Sequence, residues 1–154
     1  MKKMYMIQSL SLFIGTVFAW VTVFLDFSRF YNLYGSLTRI SNCSIPNPIT
    51  TPCFYGAFVF LLGFIWSVGI LRTEDAKREV KQKRLNWLLI AGTLFAWGNF
   101  AYETIRFYLA KNAPKVSCSG VPTDNILLTS CFYGSVIFLV SLIVSMIIIR
   151  RNRR

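Results

Sequence analysis

The chain has 154 residues, of which 55% are hydrophobic, 16% are aromatic and only 15% are charged, and its formal net charge is +11. Soluble domains carry about a quarter charged residues, so this composition argues against a soluble domain. The chain contains no histidine, which excludes Ser-His and Cys-His nucleophile systems, histidine-ligated haem and histidine-bearing zinc sites.

Four apolar blocks, at residues 7–25, 54–71, 85–102 and 132–149, follow one another, and none contains a charged residue. A helix needs roughly 20 apolar residues to cross a hydrocarbon core about 30 Å thick, and a soluble bundle would break each block with charge. The blocks therefore predict an all-α integral membrane fold, a bundle of four transmembrane helices. We expect these helices at about residues 7–26, 54–72, 85–105 and 132–150.

The first block contains a short string that recurs later in the chain. GTVFAW at residues 15–20 returns as GTLFAW at 92–97. Val17-Phe18-Ala19 resembles a signal-peptidase site, but Phe95-Ala96-Trp97 of the second copy lies inside an internal block. The simplest assumption is that matching residues have matching roles. We therefore expect the first block to remain as a helix and not to be cleaved as a signal peptide.

The string belongs to a longer internal repeat. Residues 18–31 align without gaps with 95–108, and residues 53–72 align with 131–150. This predicts a tandem duplication of a two-helix hairpin, with repeat one at 1–72, a basic linker at 73–84 and repeat two at 85–154. Each repeat has an even number of spans, so both insert the same way up, related by a pseudo-two-fold axis along the membrane normal.

The first and third helices carry a matching stripe on one face, because residues three and four apart align on a helix that turns about 100° per residue. The cytoplasmic half of the stripe consists of small residues, and small-x-x-x-small spacing lets helices approach closely in lipid. We therefore expect helices one and three to cross there. The stripe comprises Gly15, Ala19, Thr22, Asp26 and Arg29 in repeat one, and Gly92, Ala96, Asn99, Glu103 and Arg106 in repeat two.

The charged end of the stripe has two interpretations. In one, each acid pairs with the arginine three residues later, Asp26 with Arg29 and Glu103 with Arg106. In the other, the four charges converge on the axis and line a polar pocket, since ionisable residues within spans are often functional.

The basic residues predict the orientation of the chain. Twelve of the 17 Lys and Arg residues lie at the termini and around the 73–84 linker. Lys and Arg are enriched on the cytoplasmic side of membrane proteins, so we expect both termini and the linker there. Contact with lipid headgroups explains this charge, and no nucleic-acid partner is needed.

All four cysteines fall on the opposite, extracytoplasmic side. Four cysteines allow three pairings. The duplication favours one bridge per repeat, Cys43–Cys53 and Cys118–Cys131, each of which would stabilise the chain by about 3 kcal/mol. The spacings lack the paired short intervals of a four-cysteine metal site, so no metal is expected.

The leading functional expectation is a small non-enzymatic binding or assembly component of the cell membrane, without catalytic residues or a cofactor. Its partners would be the lipid bilayer and other membrane subunits or further copies of itself. One alternative is a carrier or channel that uses the Asp26/Glu103 stripe. Another follows from layout: four helices with two outward cysteine pairs resemble the bacterial thiol–quinone oxidants and the vitamin K epoxide reductases, which implies thiol–disulfide chemistry with a quinone niche near Trp20 and Trp97. The chain has no C-x-x-C pair.

Overall fold

A computed structural model describes residues 2–36, 46–109 and 123–152, except for the side chains of residues 75 and 76. Within these ranges the fold is all-helical. Four long helices are joined in chain order, and a short 3₁₀ helix precedes two of them. They are α1 (Lys2–Tyr34), a 3₁₀ helix (Pro48–Thr50), α2 (Pro52–Leu71), α3 (Asp75–Leu109), a second 3₁₀ helix (Ile126–Leu128) and α4 (Ser130–Asn152).

Three of the helices are long and apolar enough to cross a membrane, namely α1, α2 and α4. Their outward faces carry large apolar side chains, of which Phe24 is 70% exposed, as expected of a surface that faces lipid. The third helix is longer, at 35 residues, but its apolar stretch includes Asn86 and Asn99. It does not reach the same hydropathy, so its membrane crossing stays a prediction.

The predicted linker is largely part of a helix. Because α3 begins at Asp75, only residues 72–74 separate it from α2. Arg78 Nη2 donates to Thr73 O across this turn at 2.6 Å. Gln82, which belongs to the predicted 73–84 linker, is fully buried in the bundle.

The four helices form a bundle in which α1 packs against α2 and α4, and α3 packs against α4 and α2. The predicted crossing of α1 and α3 through their glycines is wrong. The ring of Phe60 in α2 lies over Gly15, and the ring of Phe138 in α4 lies over Gly92. These rings occupy the space that the other odd-numbered helix was expected to fill.

The segments that lead into α2 and α4 are built in the same way. The Asn47 side chain accepts a hydrogen bond from Ile49 N at 3.0 Å, and the Asn125 side chain accepts one from Leu127 N at 3.0 Å. In both segments an Asx turn satisfies an N–H group at the start of the 3₁₀ helix. This fixes where α2 and α4 begin, and with them the positions of Cys53 and Cys131.

Candidate functional site

Two cysteines meet at the end of the bundle where α2 and α4 begin, which we call the head end. Cys53 and Cys131 are each the second residue of their helix, and their Sγ atoms are 3.5 Å apart. A disulfide bond is about 2.05 Å long, so these sulfurs are in contact but are not bonded to each other. The predicted partners Cys43 and Cys118 lie outside the described residues, and the two predicted bridges stay predictions.

Two aromatic rings meet on the same faces of α2 and α4, seven residues further along each helix. The rings of Phe60 and Phe138 are stacked, with centroids 3.8 Å apart and 24° between their planes. Both side chains are almost completely buried. Since seven residues are about two helical turns, the sulfur pair and the ring pair mark one line of contact between α2 and α4.

A cavity of about 60 Å³ lies between the sulfurs and the rings. Its walls are almost entirely apolar, and nearly every lining residue has its repeat counterpart on the opposite wall. The matched pairs are Phe18 and Phe95, Ala19 and Ala96, Thr22 and Asn99, Pro52 and Ser130, Cys53 and Cys131, Gly56 and Gly134, and Phe60 and Phe138.

The two uncharged polar residues of the predicted stripe line this cavity, and each donates a hydrogen bond to the backbone of its own helix. Thr22 Oγ1 donates to Phe18 O at 2.9 Å, and Asn99 Nδ2 donates to Phe95 O at 2.8 Å. Back-bonding of this kind satisfies a polar side chain within its own helix. It explains why a wall that contains threonine and asparagine remains apolar towards the cavity.

The charged end of the stripe forms the two predicted i,i+3 pairs. Arg29 Nη1 lies 3.5 Å from Asp26 Oδ1, and Arg106 Nη1 lies 3.5 Å from Glu103 Oε1. The arginines are more than half exposed, whereas the Asp26 side chain is only 6% exposed. None of these four charged residues lines the cavity. The alanines of the stripe, with Thr22 and Asn99, line the same cavity as the two cysteines.

A buried polar cluster at the opposite end, the tail end, was missed by the sequence reasoning. Gln82 Nε2 of α3 donates to Gln8 Oε1 of α1 at 2.9 Å and to Ser145 Oγ of α4 at 3.0 Å. All three residues are at most 1% exposed. A glutamine within an otherwise apolar block, as at Gln8, is the signal that could have pointed to it, because such a group needs a buried partner.

Two polar atoms of this cluster have no hydrogen-bond partner among the described residues, namely Gln8 Nε2 and Gln82 Oε1. An amide side chain can also be placed with its oxygen and nitrogen exchanged. If the oxygen and nitrogen are exchanged in both side chains, the Gln8–Gln82 hydrogen bond is kept. One amide donor and one amide acceptor are again left without a partner among the described residues. The shortfall is therefore a property of the packing.

A groove runs between α1 and α2 at the tail end, with a volume of about 680 Å³. Its walls are apolar apart from Ser9 and Lys3, and Lys3 supplies its one charge. Met6, Ile7, Leu10 and Phe13 of α1 line it, and each is 47–61% exposed. Phe64, Val68 and Leu71 of α2 complete it.

Within the part of the chain that the structure describes, no three His, Cys, Asp or Glu residues come together as a potential metal site. Compared with known proteins, the chain matches no family model, no curated protein and no solved structure.

Proposed function

We propose that this chain is an integral membrane protein in which all four helices span the bilayer, as two parallel hairpin repeats. The termini and the α2–α3 turn face the cytoplasm, and the head end faces outward. Three spans of sufficient length and hydropathy support this. The matched caps of the two 3₁₀ helices support the duplication, and the gathering of Lys and Arg at the tail end supports the orientation.

We propose a non-enzymatic binding role for it, in preference to a carrier or channel. The stacked rings of Phe60 and Phe138 close the centre of the bundle, and the cavity beside them is small against the 300–1,000 Å³ of typical ligand pockets. A carrier would need an open polar path, yet Asp26 and Glu103 pair with arginines of their own helices. The same small cavity gives a quinone little room.

The observation that carries this proposal is the tail-end groove, and its proposed occupant is an anionic phospholipid. The groove offers exposed apolar side chains to an acyl chain, and Lys3 at its rim to a phosphate. Arg72 and Lys77 are exposed near the same end. Basic residues beside the membrane attract anionic lipids by about 1 kcal/mol each, so the charge complements an anionic headgroup rather than a zwitterionic one.

Lipid binding can be tested on the full chain in detergent by native mass spectrometry with added phosphatidylglycerol or phosphatidylcholine. We expect retained phosphatidylglycerol to exceed phosphatidylcholine, and Lys3→Gln to lower its affinity about fivefold, the equivalent of 1 kcal/mol. Arg29→Gln, which removes an equal charge at the head end, is the matched control and should change nothing. Equal retention of the two lipids, or an equal effect of the two substitutions, would refute the lipid site.

A further inference from the structure

The tail-end cluster has unused hydrogen-bonding capacity at the junction of α1, α3 and α4. Both protons of Gln82 Nε2 are used, since this atom donates to Gln8 Oε1 and to Ser145 Oγ. Gln8 Nε2 and Gln82 Oε1 have no partner among the described residues, and the Ser145 hydroxyl, which accepts one bond, still has its own proton to donate. All three residues are at most 1% exposed, so bulk solvent does not satisfy these groups.

The two unpartnered amide atoms flank one hydrogen bond. Gln8 Nε2 is attached to the same carbon as Gln8 Oε1, and Gln82 Oε1 to the same carbon as Gln82 Nε2. The other two atoms of these amides form the 2.9 Å bond between the glutamines. The unpartnered atoms therefore lie close together, and Ser145 Oγ lies 3.0 Å from Gln82 Nε2. One small ligand can contact all three groups.

The ligand that completes this junction has to donate and accept hydrogen bonds at once. A metal cation cannot accept a bond from Gln8 Nε2, and an anion without a proton cannot donate one to Gln82 Oε1. Exchanging the oxygen and nitrogen of both amides reverses these roles but keeps one donor and one acceptor. Water supplies both roles in the smallest volume, and buried waters typically make about three hydrogen bonds to polar groups that are otherwise unsatisfied.

The place that the internal repeat relates to this junction has no amide at the position of Gln8. Leu85 corresponds to Gln8, at the same offset that relates the two GTxFAW strings, and it is a fully buried apolar residue. Ser67 corresponds to Ser145 in the aligned segments of α2 and α4, and it donates to Phe64 O at 2.8 Å. The junction is therefore polar on one side of the bundle, and the other side offers a matched comparison.

We propose that the junction binds one buried water molecule. The water accepts hydrogen bonds from Gln8 Nε2 and from the Ser145 hydroxyl, and it donates one to Gln82 Oε1. Because α1 and α3 each pack against α2 and α4, they lie diagonally across the bundle, and the water reinforces the Gln8–Gln82 bond that joins them. The site is independent of the lipid groove, whose walls include none of these three residues.

The glutamine content of the chain makes the water directly observable. Gln8 and Gln82 are the two glutamines of the chain, so ¹⁵N labelling of glutamine side-chain amides gives an NMR spectrum of two NH₂ groups. Gln8→Leu and Gln82→Leu each remove one group and so assign both. For the full native chain in tail-deuterated phosphocholine micelles, we expect cross-peaks between water and the Gln8 amide protons. Their sign should be opposite in laboratory-frame and rotating-frame experiments, which identifies a long-lived dipolar contact.

A pair of serine substitutions supplies the variant and its control. Ser145→Ala removes one of the three bonds to the water and should weaken or abolish the cross-peaks, whereas Ser67→Ala, at the repeat-related position, should leave them unchanged. The proposal is overturned if the native chain shows no dipolar cross-peak at the Gln8 amide, or if its cross-peaks have the same sign in both experiments, which indicates exchange with bulk water. An equal effect of the two serine substitutions would also overturn it. The measurement on the native chain is decisive even where a substitution impairs folding.

Discussion

The rings of Phe60 and Phe138 are stacked at 3.8 Å across the centre of the bundle, and each fills the space beside a glycine of a neighbouring helix. A Cβ on Gly15 would lie 2.5 Å from Phe60 Cε1, and one on Gly92 would lie 2.7 Å from Phe138 Cε1. The glycine of the repeated GTxFAW string therefore makes room for a ring. This gives a physical reason for glycine at the same place in both copies.

Replacing either glycine should destabilise the bundle. In Gly15→Ala and Gly92→Ala the added methyl group collides with a ring that is itself stacked against the other ring. We expect each to cost about 1–3 kcal/mol, as overpacked cores do, measured as the free energy of unfolding in mixed micelles. Gly98→Ala, on the same helix as Gly92 but with no atom within 4 Å of its Cβ, is the control and should be neutral or stabilising.

The order of helices in the bundle can be checked by engineered disulfides in a background without native cysteines. Ser11 Oγ of α1 and Ser141 Oγ of α4 are 2.9 Å apart, so Ser11→Cys with Ser141→Cys should cross-link readily on oxidation. Gly15→Cys with Gly92→Cys should not, because Phe60 and Phe138 lie over these positions. A cross-link in the second variant and none in the first would mean that α1 and α3 are direct neighbours after all.

Removing one glutamine of the tail-end cluster should be worse than removing two. Gln82→Leu deprives Gln8 of its remaining bond and leaves a buried amide unsatisfied, at a cost of about 1–3 kcal/mol. Adding Gln8→Leu removes that amide, so the double variant should recover most of the loss. Unfolding measurements on both single variants and the double variant give the coupling directly, and strictly additive losses would contradict the cluster.

The acid–arginine pairs should matter little to any movement of ions. Asp26→Asn with Glu103→Gln removes both carboxylates, yet neither lines the central cavity. We expect the double variant to fold, with a loss of about 1 kcal/mol or less per partly exposed pair. Liposomes containing the native chain or the variant should show the same background flux. A flux that is present in the native chain and lost in the variant would favour the carrier interpretation.

The positions of the helices follow closely from the sequence. The predicted helices at about 7–26 and 132–150 lie within α1 and α4, and the one at about 54–72 overlaps α2 almost completely. All three helices are apolar enough to cross a membrane. The helices α1, α3 and α4 extend further at both ends than predicted, because a hydrogen-bonded helix propagates into polar flanks once it is nucleated. The same reason makes most of the predicted 73–84 linker the first turns of α3.

The site was predicted only in part. Helical periodicity alone predicts that Thr22 shares a face with Ala19, and Asn99 with Ala96, and all four residues line the cavity. That they face the two cysteines, while Asp26 and Glu103 do not line the same cavity, depends on how α2 and α4 are rotated. No residue spacing within α1 or α3 contains that information.

By itself the sequence determined the helices, the repeat within the chain and the residues that share each helix face, because these depend on hydropathy and on a helical period that is local. The tertiary structure decided which faces meet. It placed the rings of Phe60 and Phe138 over the glycines, and it brought Cys53 together with Cys131 across the repeats. Such contacts join residues 78 positions apart, and their geometry depends on the shapes of all four packed helices at once.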